Sequence, residues 1–304
     1  MDLIVAFLFI LIFILVGVGF FTLLERKTLG YLNNRKGPNK VGIAGLGQPI
    51  ADGLKLFTKE YVFPYLSIYS LFYISPLFIF FSSLGMWACL PLYNHFLDFS
   101  LGLLYFLCLT SLSVYALIFA GWASNSKYSI YGAYRGVAQT ISYEVSLALI
   151  MLCFVYLIGG YDMEMFHVYQ VNNWMIFFMT PLAMMWLVSM LAETNRTPFD
   201  FPEGESELVS GFNIEYSGYL FAVMFIGEYS SIMFMSNMFT VLFLGSWSYM
   251  YGVKVMLVIF LFIWVRGSLP RFRYDNLMYL AWKVYLPIVL NFLMFFICLK
   301  IFIV

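Results

Sequence analysis

"LIVAFLFILIFILVGVGFFTLL", residues 3–24, runs for 22 residues without a charge and ends at Glu25, Arg26 and Lys27. At about 1.5 Å rise per residue, a helix of that length crosses a hydrocarbon core of about 30 Å. It exceeds the apolar core of a cleavable signal peptide, so it is expected to remain as the first membrane helix. The rest of the chain has the same character. Of 304 residues 63% are hydrophobic and 11% charged, less than half of the roughly 25% that a soluble domain carries.

Eight apolar segments are predicted, at about 3–24, 68–91, 100–121, 137–158, 174–192, 216–245, 253–270 and 284–303. They are too long for strands and lack alternation of period two. The expected fold class is therefore all-α: one polytopic membrane domain over 1–304 with eight transmembrane helices. Basic residues orient it. Arg26, Lys27, Arg35, Lys36, Lys40, Lys55 and Lys59 lie between segments 1 and 2, and Lys127 and Arg135 between 3 and 4. Arg196 lies between 5 and 6, and Arg266, Arg271, Arg273 and Lys283 around the connection of 7 and 8. That puts fourteen of sixteen basic residues on one side, called cis here, and leaves Lys254 and Lys300 on the other. Both termini are then expected on the trans side.

The first cis loop contains "GLGQPIADGLKLFTKE" (45–60). Leu46, Ile50, Leu54 and Phe57 share one helical face there, and Pro49 suits a first turn. A short amphipathic helix over about 46–60, lying along the membrane surface, is expected. A solvated helix docked on a partner fits the same pattern.

Sixteen acids balance sixteen bases, so net charge points to no polyanionic or polycationic partner, nucleic acid included. Cys89, Cys108, Cys153 and Cys298 all sit in apolar runs without a C-x-x-C, against a zinc site, an iron–sulfur cluster or a disulfide framework. His95 and His167 fall in different loops, against a bis-His haem. Any electron carrier should belong to a partner. "GIAGLGQP" is not a dinucleotide fingerprint, and no Walker A, H-E-x-x-H or G-x-S-x-G sequence occurs.

Two acids are out of place. Glu144 and Glu228 lie inside predicted spans, where an ionisable group costs about 2.5–3.5 kcal/mol on insertion scales. Such groups usually face a polar cavity on a proton or ion path, although a protonated glutamate serving packing alone is also possible. A third concentration is "AETNRTPFDFPEGESELVSGFN" (192–213), with Glu193, Asp200, Glu203, Glu205 and Glu207 against the single base Arg196. Part of it reads as a helix start, with Asp200 or Phe201 near the cap and Pro202 early. That does not account for Glu203 and Glu207 together, since like charges at i, i+4 repel. The sequon Asn195-Arg196-Thr197 falls on the cis face and is set aside.

These stretches, together with "TLLERKTLGYLNNRKGPNKVG", "GWASNSKYSIYGAYRGVAQTISYEVSLALI" and "RFRYDNLMYLAWKVYLP", resemble the membrane heel subunits of respiratory complex I, NADH–ubiquinone oxidoreductase. The blocks span residues 22–287 and include all four cis loops. The resemblance implies eight transmembrane helices, a surface helix, the mitochondrial inner membrane, and cis loops facing the matrix. It implies ubiquinone as substrate, with NADH, FMN and iron–sulfur clusters on partner subunits. The implied partners are quinone-site subunits of the hydrophilic arm, small neighbouring membrane subunits and lipids. Carried over by position, it places Arg26, Asp52, Phe57, Asp200, Glu205 and Glu207 at a quinone cavity, with Arg271 and Arg273 as balancing charges. Glu144, Glu193, Glu203 and Glu228 match a line of acids leading from that cavity toward proton-pumping subunits. An anchor subunit of an energy-converting hydrogenase and an autonomous proton-coupled transporter are the rival readings. The second would call for an internal repeat, and none is apparent.

Overall fold

Helix α1, Asp2–Leu32, does not stop where its apolar run stops. Glu25, Arg26 and Lys27 ride on its continuation, because the backbone hydrogen-bond ladder needs only helix-compatible residues, whereas apolarity ends at the edge of the hydrocarbon. The computed structural model describes residues 2–90, 99–245 and 250–303; the side chains of 2–4, 6, 205, 206 and 303 lie outside that description, as does His95. No strand occurs among the described residues.

Helix α2 (Gln48–Thr58) follows, with Pro49 in its first turn. Leu46, Ile50, Leu54 and Phe57 are all exposed, forming an apolar stripe of which Phe57 also borders a cavity against α1 and α9. The long helices are α3 (Tyr69–Met86), α4 (Gly102–Ala123) and α5 (Lys127–Ile158). The start of α5 precedes the expected 137 because "KYSIYGAYRG" is polar enough to hide a helix from a hydropathy reading while remaining helical. A short α6 (Met163–Tyr169) is capped by Asp162, whose carboxylate accepts from Glu164 N at 3.1 Å. Next come α7 (Thr180–Glu193), α8 (Glu205–Leu208), α9 (Gly218–Phe239) and α10 (Tyr251–Ser268). Helices α11 (Tyr274–Tyr279) and α12 (Leu286–Ile303) are joined by a π turn, Leu280–Tyr285, so the last helical run begins about ten residues before the expected 284.

Among the described residues, seven helical stretches are long and apolar enough to cross a membrane: Phe7–Leu32, Tyr69–Cys89, Gly102–Ala123, Lys127–Ile158, Gly218–Leu244, Tyr251–Ser268 and Tyr274–Phe302. The predicted segment 174–192 is a 14-residue helix, α7, preceded by a 3-10 turn, Met175–Phe177. Pro181 in the first turn of α7 fixes that start, since proline suits a helix's opening positions. At about 21 Å, α7 is shorter than a full hydrocarbon core.

Helix α9 is the axis of the bundle. It packs against α1, α2, α3, α7 and α10, and 56% of its most apolar window is buried, against 11% for the C-terminal run. Lipid tails are as apolar as leucine, so close fit and polar contacts hold such helices together. At Gly227 a Cβ would come within 2.9 Å of Ile79, so glycine is what lets the α3 backbone approach α9 beside Glu228.

The cis connections meet at one end of the bundle. Ile68 N donates to Ala123 O, Gln139 Nε2 to Ala192 O and Phe199 O, and Phe272 N to Pro198 O. A different set meets at the other end. Leu103 N donates to Tyr161 O, and Lys300 Nζ to Tyr156 O at 2.8 Å. There α9 ends in a second π turn, Thr240–Leu244. Gln170 Nε2 donates to Val241 O and Leu242 O at 2.9 and 3.0 Å, and Lys254 Nζ to Leu244 O at 2.6 Å. Lys254 and Lys300, the two exceptions to the charge split, thus both bind carbonyls at the ends of other helices.

Candidate functional site

Helix α2 crosses beneath the extended end of α1, and together with α9 they enclose a cavity of about 480 Å³. One part of its wall is apolar, from Leu15, Val18, Phe57, Phe221 and Phe225; the other is polar, from Glu25, Arg26, Asp52, Tyr229 and Arg266. Arg26 and Asp52 form an ion pair between α1 and α2, and Gln48 Nε2 steadies Asp52 at 2.9 Å. A cavity of this volume with apolar walls and a few convergent polar groups suits an amphipathic small molecule.

The polar end leads inward through charges in contact. Glu25, 6% exposed, accepts from Tyr229 Oη at 2.7 Å and from Arg266. The Arg196 guanidinium lies over the Tyr229 ring, 4.4 Å from its centroid, and its Nη2 is 3.8 Å from Glu228 Oε2. Glu228 and Glu193 line one small pocket of about 60 Å³ between α3, α4, α5, α7 and α9, whose wall mixes serine and threonine hydroxyls with Ile79, Met86, Leu117 and Met235. Glu144, on α5, lies within electrostatic reach of Glu193.

The acid-rich loop closes over this line from the cis side. Asn213 Nδ2 donates to Glu203 at 2.7 Å, and Arg271 Nη2 meets Asp200 at 3.3 Å. Burial pushes the Asp200 carboxyl above its usual range, with Arg271 and Arg196 pulling the other way. Burial raises Glu203 likewise, with Arg196 opposing it and Asp200 adding to it. The expected Glu203–Glu207 repulsion does not arise, because α8 begins only at Glu205 and the two side chains diverge. Glu203 goes to Asn213 and Glu207 to Arg135. Gly204, rather than Asp200 or Phe201, holds the cap position, since the Asp200 carboxylate faces Arg271.

The loop folds back on itself at Gly211, whose φ of 58° is left-handed and whose Cβ would lie 1.6 Å from Pro202 O. Gly211→Ala is expected to cost at least about 1–2 kcal/mol from backbone strain, with the clash added. Trypsin should then cut the loop at Arg196 faster than in the parent chain. An unchanged cleavage rate would show that the loop has another way to close.

Of the residues singled out by sequence, Arg26, Asp52 and Phe57 come together in the cavity wall, and Glu193 and Glu228 in the inner pocket. Asp200, Glu207 and Arg271 line a separate recess of about 20 Å³. Arg273 pairs with Asp275 at 3.0 Å, exposed, outside both. The Glu205 side chain lies outside the described residues. Sequence reading missed Glu25, Tyr229 and Arg266, and gave Arg196 no role. Glu25 stood in plain view as the first charge after residue 24, and Arg196 as the single base among five acids. Tyr229 carried no signal apart from its position next to Glu228.

The family model described as NADH dehydrogenase matches residues 5–297. The chain is 59% identical to NADH-ubiquinone oxidoreductase chain 1 of Anopheles gambiae, over 97% of this chain and 95% of that protein. It is 58% identical to the protein of that name in Aedes aegypti, with the same coverage, and 50% identical to the one in Osphranter rufus, over 95% of this chain and 93% of the relative.

Proposed function

The chain belongs to the NADH dehydrogenase family, alongside the chain 1 subunits of NADH-ubiquinone oxidoreductase, and from that premise we propose that it forms part of the ubiquinone cavity of complex I and couples quinone reduction to proton movement. It is a membrane subunit of that oxidoreductase. NADH, FMN and the iron–sulfur clusters belong to other subunits of the complex, and the electrons reach the quinone from there.

The observation that carries this reading is the position of Arg196, which touches the cavity's Tyr229 ring and stands 3.8 Å from Glu228 at the inner pocket. The cavity fits a quinone by its chemistry: phenylalanine walls for an apolar tail, and Glu25, Arg26, Asp52 and Arg266 around a polar head. Reducing a quinone to the quinol takes two electrons and two protons, so charge changes beside Glu25 and Tyr229. Arg196 is shared between that cluster and Glu228, and a change on one side alters its hold on the other. From Glu228 the signal continues to Glu193 and Glu144, with Glu203 and Asp200 bordering the path on the cis side. Moving one charge against a field costs about 2.3 kcal/mol per 100 mV, so the relay depends on close contacts of this kind.

We further propose eight crossings, with α7 as the short fifth. Its start lies near the π turn of α9 and its end near Gln139, which are the two opposite ends of the bundle. The basic loops then face the mitochondrial matrix and both termini the intermembrane side.

Asp52→Asn is expected to weaken the grip on Arg26 and lower kcat/KM for quinone about tenfold, or about 1.4 kcal/mol. Protons pumped per NADH should stay the same. Steady-state assays of the purified complex with a short-tailed quinone measure the first quantity. An unaltered kcat/KM would remove the Arg26–Asp52 rim from the quinone passage.

A further inference from the structure

Between Ala192 and Phe199 the chain carries both Glu193 and Arg196, and the side chains of this stretch do little to hold it in place. Arg196 Nη2 stands 3.8 Å from Glu228 Oε2, which is too long for a hydrogen bond, so the pair does not latch the guanidinium by direction. Asn195 Oδ1, Arg196 Nη2 and Thr197 Oγ1 are buried without a hydrogen-bond partner. Thr194 Oγ1 donates back to Met190 O in its own helix. Where Arg196 sits therefore follows from where the backbone is held.

The hold comes largely from α5. Gln139 is fully buried and donates from its amide nitrogen to Ala192 O and to Phe199 O, at 2.7 Å each. One acceptor lies in the last turn of α7. The other lies just past a turn in which Phe199 N donates to Arg196 O at 2.8 Å. A single side chain thus closes the segment at both ends, while Phe272 N holds Pro198 O at 3.1 Å from the connection after α10. Gly136, on the same face of α5 as Gln139, lets the helix come this near: a Cβ there would lie 2.7 Å from Pro202 Cγ. Glutamine is the suitable residue, with two N–H donors on one uncharged nitrogen; a carboxylate has none, and asparagine is one methylene shorter. Gln139 Oε1 is buried without a partner. A side chain that served packing alone would carry no such cost.

We propose that Gln139 is a positioning residue of the relay: its amide clasps the 192–199 segment and so sets the separation of Arg196 from Glu228 and the placement of Glu193 in the inner pocket. Gln139 itself lines neither that pocket nor the cavity. The inference rests on the proton-path reading of Glu228.

Gln139→Met keeps the volume and removes both donors. With the intact complex in sealed liposomes, NADH-driven proton pumping is expected to fall about tenfold, since small misplacements of interacting groups are enough for that. KM for a short-tailed quinone should not change, because the clasp is outside the cavity. Gln139→Met added to Glu228→Gln should pump no worse than Glu228→Gln alone, as the pair that the clasp aligns is already gone; independent losses would multiply. Normal pumping in Gln139→Met, a raised KM, or losses that multiply each overturn the clasp. If Gln139→Met does not assemble, Gln139→Asn, which keeps a buried amide too short to bridge both carbonyls, decides by the same readouts. Wild-type pumping in Glu228→Gln would instead defeat the proton path, and tryptic cleavage after Arg196, expected to be faster in Gln139→Met than in the parent, then still reads the clasp.

Discussion

Arg196→Met is expected to lose most of the assembled complex. Arg196 is 8% exposed and its guanidinium packs over Tyr229, with Glu228, Glu203 and Glu25 within electrostatic reach. Methionine keeps much of the volume and removes the charge, leaving Glu228, Glu203 and Glu25 with one fewer counter-ion. Breaking a buried pair from one side costs about 3–5 kcal/mol, because the remaining charge stays desolvated. That is a large share of the roughly 5–15 kcal/mol that holds a typical fold together. Native-gel yield and thermal inactivation of the complex measure it. Adding Glu228→Gln to Arg196→Met should recover part of the stability, since the double variant no longer buries that unpaired carboxylate. Pumping should not return with it. Wild-type yield and melting in Arg196→Met would mean that the acids are neutral at rest and that Arg196 only fills space.

Glu228→Gln alone should act on coupling. Glutamine keeps the shape and the hydrogen-bonding capacity but cannot release or take up a proton. Among the described residues, Glu228 is the single carboxyl that both lines the inner pocket and lies 3.8 Å from Arg196, so a relay that includes it has no evident detour. Pumping is expected to fall at least about tenfold, equivalent to about 1.4 kcal/mol or more on the coupled step. Assembly and NADH oxidation by an artificial acceptor should be retained. Those two readouts separate a broken relay from a broken subunit. If Glu228→Gln pumps at the wild-type rate, the glutamate serves packing, and the line from cavity to membrane must run elsewhere.

The helical class and the positions of most helices were legible because hydrophobic length is a direct physical requirement of the bilayer. Helix ends were less so. The ladder of α1 runs through Glu25 to Leu32, and α5 begins ten residues ahead of its apolar part, because polar residues end a hydrophobic run without ending a helix. The segment around 174–192 looked like a full span by composition, and Pro181 moved its helical start to Thr180. Within the site, unpaired charges such as Glu144 and Glu228 were conspicuous by being where charge is costly. Glu25 and Arg266 were not, since each sits at a membrane edge where charge is ordinary. Their pairing joins residues 241 positions apart, a relation that no local pattern encodes. Arg196 was visible and set aside, since a lone base in an acidic loop looks like surface charge until burial is known.

The π turn at Thr240–Leu244 has a consequence for how chains of this kind can change in length. A π turn amounts to one residue more than an α-helix needs, and removing that residue would rotate everything beyond it by about 100°. Lys254 would swing away from Leu244, and Gln170 would face carbonyls already satisfied by the regular ladder. A single-residue deletion there is therefore tolerable only alongside changes at both distant positions. Insertions and deletions among descendants of this sequence should collect in the connections and spare residues 240–244. A relative that has lost the extra residue should also have lost Gln170.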